Sequence, residues 1–282
     1  MSNDFVFESS VFQRVVADIE NCASSMAEEE RRKVLCRVFT CIDNTTLNGS
    51  DSVLSVTEFC RNTLEMRVDG LTVASVCVYP CFVGIAKRQL EGSGIKVAAV
   101  AGGFPAGQIP QRLKSDEVRY VVDEGADEVD FVINRGNFIM GATSAVFDEI
   151  AAAKEACGKD ILLKVIIETG ELQSPENIYS ASMLALEAGA DFVKTSTGKI
   201  SVGATPEAAY CMLSAVGDFM KKTKKKVGFK AAGGISNPSD AILYYMMYKK
   251  ILAKEGINNQ DFRIGASRLT SQLHKILTNE YR

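Results

Sequence analysis

Four charged side chains interrupt runs of apolar, β-branched residues where an idle charge would be costly. They are Asp130 in EVDFVIN (128–134), Lys164 in ILLKVIIE (161–168), Lys194 in DFVKTS (191–196) and Lys230 in VGFKAA (227–232). Burying three ammonium groups near one carboxylate is expensive, because an unpaired buried charge is avoided or neutralised by a pKa shift. A stability role therefore explains Lys194 and Lys230 poorly, whereas simple pairing with an acidic neighbour stays open for Lys164. A lysine at its ordinary pKa near 10.4 is only about 1 part in 2,500 free amine at pH 7; one near 7 is about half amine. That shift costs roughly 4 to 5 kcal/mol, and a second ammonium about 4 Å away supplies roughly 4 kcal/mol of repulsion at an effective dielectric of 20. An amine activated in this way attacks a carbonyl to form a Schiff base, whose protonated nitrogen draws electrons out of the adjacent carbon–carbon bond. A nearby carboxylate moves the protons. The pattern leaves open whether Lys194 or Lys230 is the nucleophile.

Such chemistry needs a scaffold that sets these strands side by side. Eight short runs qualify: VFTCID (38–43), LTVASVCVY (71–79), IKVAAVAG (95–102), EVDFVIN, ILLKVIIE, DFVKTS, VGFKAA and FRIGAS (262–267). Bounded by Gly, Pro or Asp and alternating with amphipathic stretches, they read as buried parallel strands in βα units. The expected fold class is α/β, a (β/α)8 barrel with an N-terminal helical extension; an open doubly wound sheet is the rival. Barrel sites lie at the C-terminal ends of the strands, which adds Asp43, at the end of the first run, and Glu168. Strand alternation directs Asp130, Val132 and Asn134 inward, with Val129, Phe131 and Ile133 toward the helices, and Lys164, Ile166 and Glu168 inward. Asp130, Lys164, Lys194 and Lys230 then form an arc across four consecutive strands.

Local signals agree. Ser174-Pro175-Glu176 opens a helix that Gly189 closes, and a helix–Gly–Ala–Asp–strand join occurs twice, at 124–132 and 187–194. Residues 1–37 read as one or two extra helices covering the lower end of the barrel or a subunit contact, and 38–282 as the catalytic barrel. Glycines follow the last three strands at Gly198-Lys199, Gly233-Gly234 and Gly265-Ala266-Ser267, and Ser236-Asn237-Pro238 starts a helix beside them. Backbone N–H groups at such turns and at a helix N-terminus cradle phosphate, so the expected ligand carries a phosphate group.

The bulk numbers narrow the partners. A net charge of -3 gives no general attraction to nucleic acid or an anionic membrane. The basic run Lys221–Lys226 reads as a solvated helix end. Eight cysteines without a CxxC pair read as reduced thiols, and the absence of a signal-like N-terminus or a long apolar run predicts a cytoplasmic chain. The one histidine, His274, reads as a helix-surface residue, and neither a metal nor a cofactor is expected.

Longer motifs carry a resemblance. LLKVIIETGEL (162–172), DFVKTSTGK (191–199), GADEVDFVINRG (125–136) and GFKAAGGI (228–235), with DNTTL (43–47), CVYP (77–80) and GFPAG (103–107), resemble the deoxyribose-phosphate aldolases from about Asp43 to Leu277. The resemblance implies a metal-free class I aldol reaction that interconverts 2-deoxyribose 5-phosphate with acetaldehyde and glyceraldehyde 3-phosphate, in deoxyribonucleotide breakdown. It implies that Lys194 is the Schiff-base lysine, Lys230 the ammonium that lowers its pKa, and Asp130 the carboxylate of the proton relay. Asp43, Thr45, Cys77 and Lys164 complete the polar site. Thr197, Gly198, Lys199, Gly233, Gly234, Ser236, Gly265 and Ser267 surround the substrate and its phosphate. Two departures touch the anion site: Ala231 stands where the family motif has Pro, and Ser236 where Arg often follows. Arg268 is expected to replace that guanidinium. A homodimer is expected by analogy with other barrels. The alternative is an aldolase-like barrel of weakened catalysis that binds a protein partner through residues 1–37 or the basic run.

Overall fold

The computed structural model describes residues 5–278. Eight parallel strands close into one barrel in sequence order: β1 (Ile42–Thr45), β2 (Ser75–Val78), β3 (Lys96–Ala101), β4 (Glu128–Val132), β5 (Leu162–Ile166), β6 (Phe192–Lys194), β7 (Gly228–Ala232) and β8 (Phe262–Ala266). The open-sheet rival is thereby excluded. Helices α1 (Ser9–Ser24) and α2 (Glu28–Phe39) precede β1, and α3 (Val53–Glu65), α4 (Val83–Gln89) and α5 (Gln111–Asp123) follow β1, β2 and β3 in turn. Two helices, α6 (Arg135–Ile139) and α7 (Thr143–Cys157), follow β4, and one each follows β5 to β8: α8 (Pro175–Glu187), α9 (Pro206–Thr223), α10 (Pro238–Ile251) and α11 (Leu269–Leu277). Among the described residues no helix is long and apolar enough to cross a membrane.

The first strand differs from expectation. Val38 and Phe39 close α2 and pack inward with Leu35, at the i, i+3, i+4 spacing of a helix face. Asp43 is therefore the second residue of β1 and not the last. A short apolar run cannot be assigned by periodicity alone, and here the charged helix-forming stretch EEERRK carries the helix through it. Elsewhere alternation holds. Val129, Phe131 and Ile133 join the apolar layer between strands and helices, while Ala98, Val100 and Cys77 fill the barrel interior.

Three helix starts share one device: Ser174, Thr205 and Asn237 each accept a backbone N–H three residues on, with Pro at the next position. Such caps satisfy an orphan donor and preset φ. The Gly-Ala-Asp joins also share one geometry. Asp127 takes the Val97 N–H at 2.9 Å and the Lys87 ammonium at 2.7 Å; Asp191 takes the Leu163 N–H at 2.8 Å and the Lys154 ammonium at 2.7 Å. Each aspartate pins the start of its strand to the strand before it. Lys221 and Lys222 lie in the last turn of α9, where cations oppose the helix dipole, and the run through Lys226 is solvated.

The N-terminal segment lies on the helical layer. Helix α1 packs on α10 and α9, and α2 on α10 and α11. Phe5 stacks on Tyr179 of α8 with ring centroids 4.2 Å apart, and Phe7 meets Tyr210 of α9 edge-on. These pegs seat α1 against the outside of the barrel.

Candidate active site

Strand register sets the site. Asp130 is the neighbour of Lys164 across β4 and β5, and Lys194 of Lys230 across β6 and β7. All three lysines converge on one carboxylate. Lys194 Nζ lies 2.6 Å and Lys230 Nζ 2.7 Å from Asp130 Oδ2, and Lys164 Nζ lies 2.9 Å from Oδ1. The three then differ. Lys230 also pairs with Asp43 across the barrel, and Lys164 pairs with Glu128 at 2.6 Å and sits 3.5 Å from Asp43. Lys194 contacts Asp130 alone among the carboxylates.

That difference sorts the amines, which sequence reasoning left unsorted. Burial opposes the charge of Lys164 and Lys230, but their carboxylates outweigh it and hold both ammonium groups above the usual lysine range. Lys194 moves the other way: burial lowers its pKa, Asp130 resists, and the Lys230 ammonium pushes it further down. Burial is thus the first cause and ammonium crowding a lesser one, the reverse of the weight that crowding alone would carry. Burial likewise opposes the charged forms of Asp43 and Asp130, yet the surrounding cations hold both carboxyls well below their usual range.

Two residues complete the cluster that the sequence reading passed over. Arg263 of β8 is 1% exposed and donates to Glu128 through both terminal nitrogens, at 3.0 and 2.6 Å, and to Asp43 at 2.6 Å. Glu128 has the same strand parity as Asp130, and Arg263 the same parity as Gly265, so the alternation already carried the signal. The guanidinium also lies over the Phe192 ring, and Gly228 leaves the room that ring occupies.

Above the cluster opens a cavity of about 270 Å³. Its walls include Thr45, Thr197, Gly198, Lys199, Gly233, Gly234, Ser236, Gly265, Ser267 and Arg268, and Lys194 is the one lysine of the cluster that borders it. Asp43, Lys164 and Cys77, expected with them, lie beneath the cavity and do not line it. Cys77 is wholly buried with its sulfur 4.0 Å from Asp130, and burial pushes the thiol up to about 11, so it stays protonated. Ala231 lies in the layer between β7 and the helices, so its departure from the family motif does not touch the cavity; Ser236 does line it. His274 lies half-buried in α11 and does not line the cavity.

The loops are held from outside. Glu168, with φ of 54° just past β5, accepts from the Thr197 backbone at 3.1 Å and its hydroxyl at 2.5 Å, and the Lys199 N–H donates in turn to Thr197 Oγ1. Arg135, at the start of α6, ties two loops together, donating to the Pro105 carbonyl and pairing with Glu171. Gly203, absent from the sequence reading, faces Gly233: a Cβ on Gly203 would lie 2.3 Å from the Gly233 carbonyl oxygen. Two loop backbones meet there at a distance that excludes any side chain.

The chain is similar to known aldolases. The family model for DeoC/LacD family aldolases matches residues 37–252. The deoxyribose-phosphate aldolase of Bos taurus is 43% identical over 254 residues, covering 86% of this chain and 80% of its own length. A solved structure, QR15, an aldolase, is 29% identical with a TM-score of 0.69, covering 86% of this chain and 97% of its own. The tetrameric deoxyribose phosphate aldolase of Aeropyrum pernix, 24% identical with a TM-score of 0.70 over 96% of this chain and 98% of its own, shares the fold. The charged cluster, the glycine-lined cavity and these matches together place the chain in the DeoC/LacD aldolase family.

Proposed function

We propose that the protein is a class I aldolase that reversibly cleaves 2-deoxyribose 5-phosphate to acetaldehyde and glyceraldehyde 3-phosphate. The observation that carries this reading is Lys194, the one amine of the cluster with a lowered pKa and the one that borders the cavity. Its unprotonated Nζ attacks the C1 aldehyde of the open-chain sugar; loss of water gives an iminium. Removal of the 3-hydroxyl proton then breaks the C2–C3 bond, with the electron pair drawn into the iminium to give an enamine. Glyceraldehyde 3-phosphate departs, C2 takes a proton, and hydrolysis frees acetaldehyde and the lysine. Asp130, within 2.6 Å of Lys194 Nζ, is placed to stabilise the iminium and exchange protons. Lys164, with Lys230, keeps Asp130 ionised.

Borohydride reduction in the presence of 2-deoxyribose 5-phosphate tests the assignment. An intact-mass adduct mapped to Lys194, together with acetaldehyde release in the unreduced assay, is expected; no adduct and no cleavage would overturn it. The alternative of a barrel that binds a partner in place of catalysis has no support in a site whose amine, carboxylate and cavity are all assembled.

The phosphate belongs at the glycine-lined end of the cavity, where Ser236, Ser267 and Arg268 stand with the Gly233-Gly234 turn. Arg268→Ala is expected to raise KM for the phosphorylated sugar about 10- to 100-fold, the worth of one or two charge-assisted hydrogen bonds. KM for unphosphorylated deoxyribose should stay near its wild-type value; equal rises on both substrates would remove Arg268 from the phosphate site. Gly203→Ala pushes one loop against the other and is expected to lower kcat/KM about 100-fold through misplacement of the cradle. Steady-state kinetics beside circular dichroism separate that effect from misfolding.

A further inference from the structure

Seven charged side chains meet inside the barrel: Asp43, Glu128 and Asp130 against Lys164, Lys194, Lys230 and Arg263. Three carboxylates face four cations, one positive charge too many where all seven side chains are almost wholly buried. We infer that Arg263 and Glu128, beneath the site, act as a balanced pair that preserves this excess of one cation, so that Lys194 remains the unprotonated amine unless one of the two charges is removed without the other. The inference rests on the reading of Lys194 as the Schiff-base lysine.

The contacts decide which cation yields. Arg263 remains charged in any protein environment, and its grip on Glu128 and Asp43 occupies both carboxylates from below. Glu128, held by that guanidinium, also pairs with Lys164; Asp43 also pairs with Lys230. What remains for Lys194 is a share of Asp130, already bonded to the other two lysines. Releasing the Lys194 proton brings the cluster to three against three, so neutrality of the whole favours a neutral amine at this position. The low pKa of Lys194 noted above fits that count.

Six strands present charged or titratable groups around Lys194. From β1 comes Asp43, from β2 the protonated Cys77, from β4 Asp130 and Glu128, from β5 Lys164, from β7 Lys230 and from β8 Arg263. The interior side chains of β3, Ala98 and Val100, are uncharged. Lys199 and Arg268 stand across the cavity, exposed to solvent and screened. Arg263 and Glu128 line no part of the cavity, so they are positioning residues that act through the cluster.

The test is the acid limb of kcat/KM against pH, which reports the ionisation of the free enzyme. Activity requires neutral Lys194, so the limb rises through its pKa. Arg263→Met leaves three carboxylates against three lysines, which stabilises the Lys194 ammonium; the limb should move to higher pH by about one unit, a tenfold loss at a fixed pH on that limb. Glu128→Gln makes the imbalance worse and should move the limb to lower pH. The charge-neutral pair Glu128→Gln with Arg263→Met should return it to the wild-type position, and Arg263→Lys, which keeps the charge, should leave it there. Shifts of opposite sign are something a merely structural role does not produce. Limbs that stay put, or single variants that shift in the same direction, overturn the inference. If Arg263→Met does not fold, Glu128→Gln and Arg263→Lys decide: a downward shift in the first with none in the second supports it, and any other pair of results overturns it. Borohydride trapping of the wild-type protein separates the two levels. Labelled Lys194 with unmoved limbs sinks only the charge count, while an unlabelled wild type sinks the Schiff-base reading and this inference with it.

Discussion

Asp130→Asn should lower kcat about 1,000-fold while the borohydride adduct on Lys194 still forms to full occupancy. Asp130 is the one carboxylate that all three lysines touch. An asparagine keeps the shape and two hydrogen-bonding atoms but removes the charge that steadies the iminium and accepts protons. Losing a positioned acid–base group costs about 100- to 10,000-fold in rate. Imine formation needs a neutral amine, and loss of a carboxylate makes Lys194 easier to deprotonate, so trapping survives. Breaking a buried charge network usually costs about 3 to 5 kcal/mol, and a loss of that size is expected here because Lys164 and Lys230 stay charged and lose a shared carboxylate. Turnover, single-turnover cleavage and adduct yield are to be measured together. If the adduct disappears along with turnover, Asp130 acts in forming the imine and the division of steps above is wrong.

The second large effect concerns acid stability. Asp43 and Asp130 both titrate, when folded, below the ordinary aspartate value of 3.8. For a carboxylate with a depressed folded pKa, the stabilisation is complete above the unfolded value and is lost as pH falls toward the folded one. Below about pH 4 the unfolded chain takes up two protons that the folded barrel refuses. The unfolding free energy should then fall by about 2.7 kcal/mol per pH unit from these two groups alone. Urea midpoints between about pH 4 and pH 2.5 measure that slope. Asp43→Asn should remove about half of this part of the slope, and an unchanged slope would show that Asp43 is not among the groups refusing protons. At the alkaline end Lys164 and Lys230, raised when folded, contribute stability that is present below the ordinary lysine value of 10.5 and lost as pH climbs through their folded values. Lys194, lowered, contributes with the opposite sign, since the unfolded chain binds its proton more readily.

Much of this was legible in the sequence for a definite reason. A lysine inside DFVKTS or VGFKAA is conspicuous because strand alternation gives it nowhere to go but inward, and strand number gave the barrel. Arg263 and Glu128 obey the same alternation, yet each stands near the start of its run, where a charge ordinarily reads as a solvated strand end. The contacts that set Lys230 apart from Lys194 come from β1 and β8, strands far away in sequence, and no local pattern encodes them. The same distance hid Gly203, whose partner Gly233 lies on another loop. Strand 1 was misplaced because VFTCID joins the last turn of one helix to the first residues of a strand.

Asp127 and Asp191 have a mechanical consequence. Both clamp the lower rim, one to β3 and the other to β5, and each carries a lysine from an outer helix as a second strut. The strands that bear Asp130 and Lys194 are therefore fixed at the end opposite the cavity. Exchanges at Ser236 or Arg268, on the rim, thus leave the strands that carry Asp130 and Lys194 anchored from below.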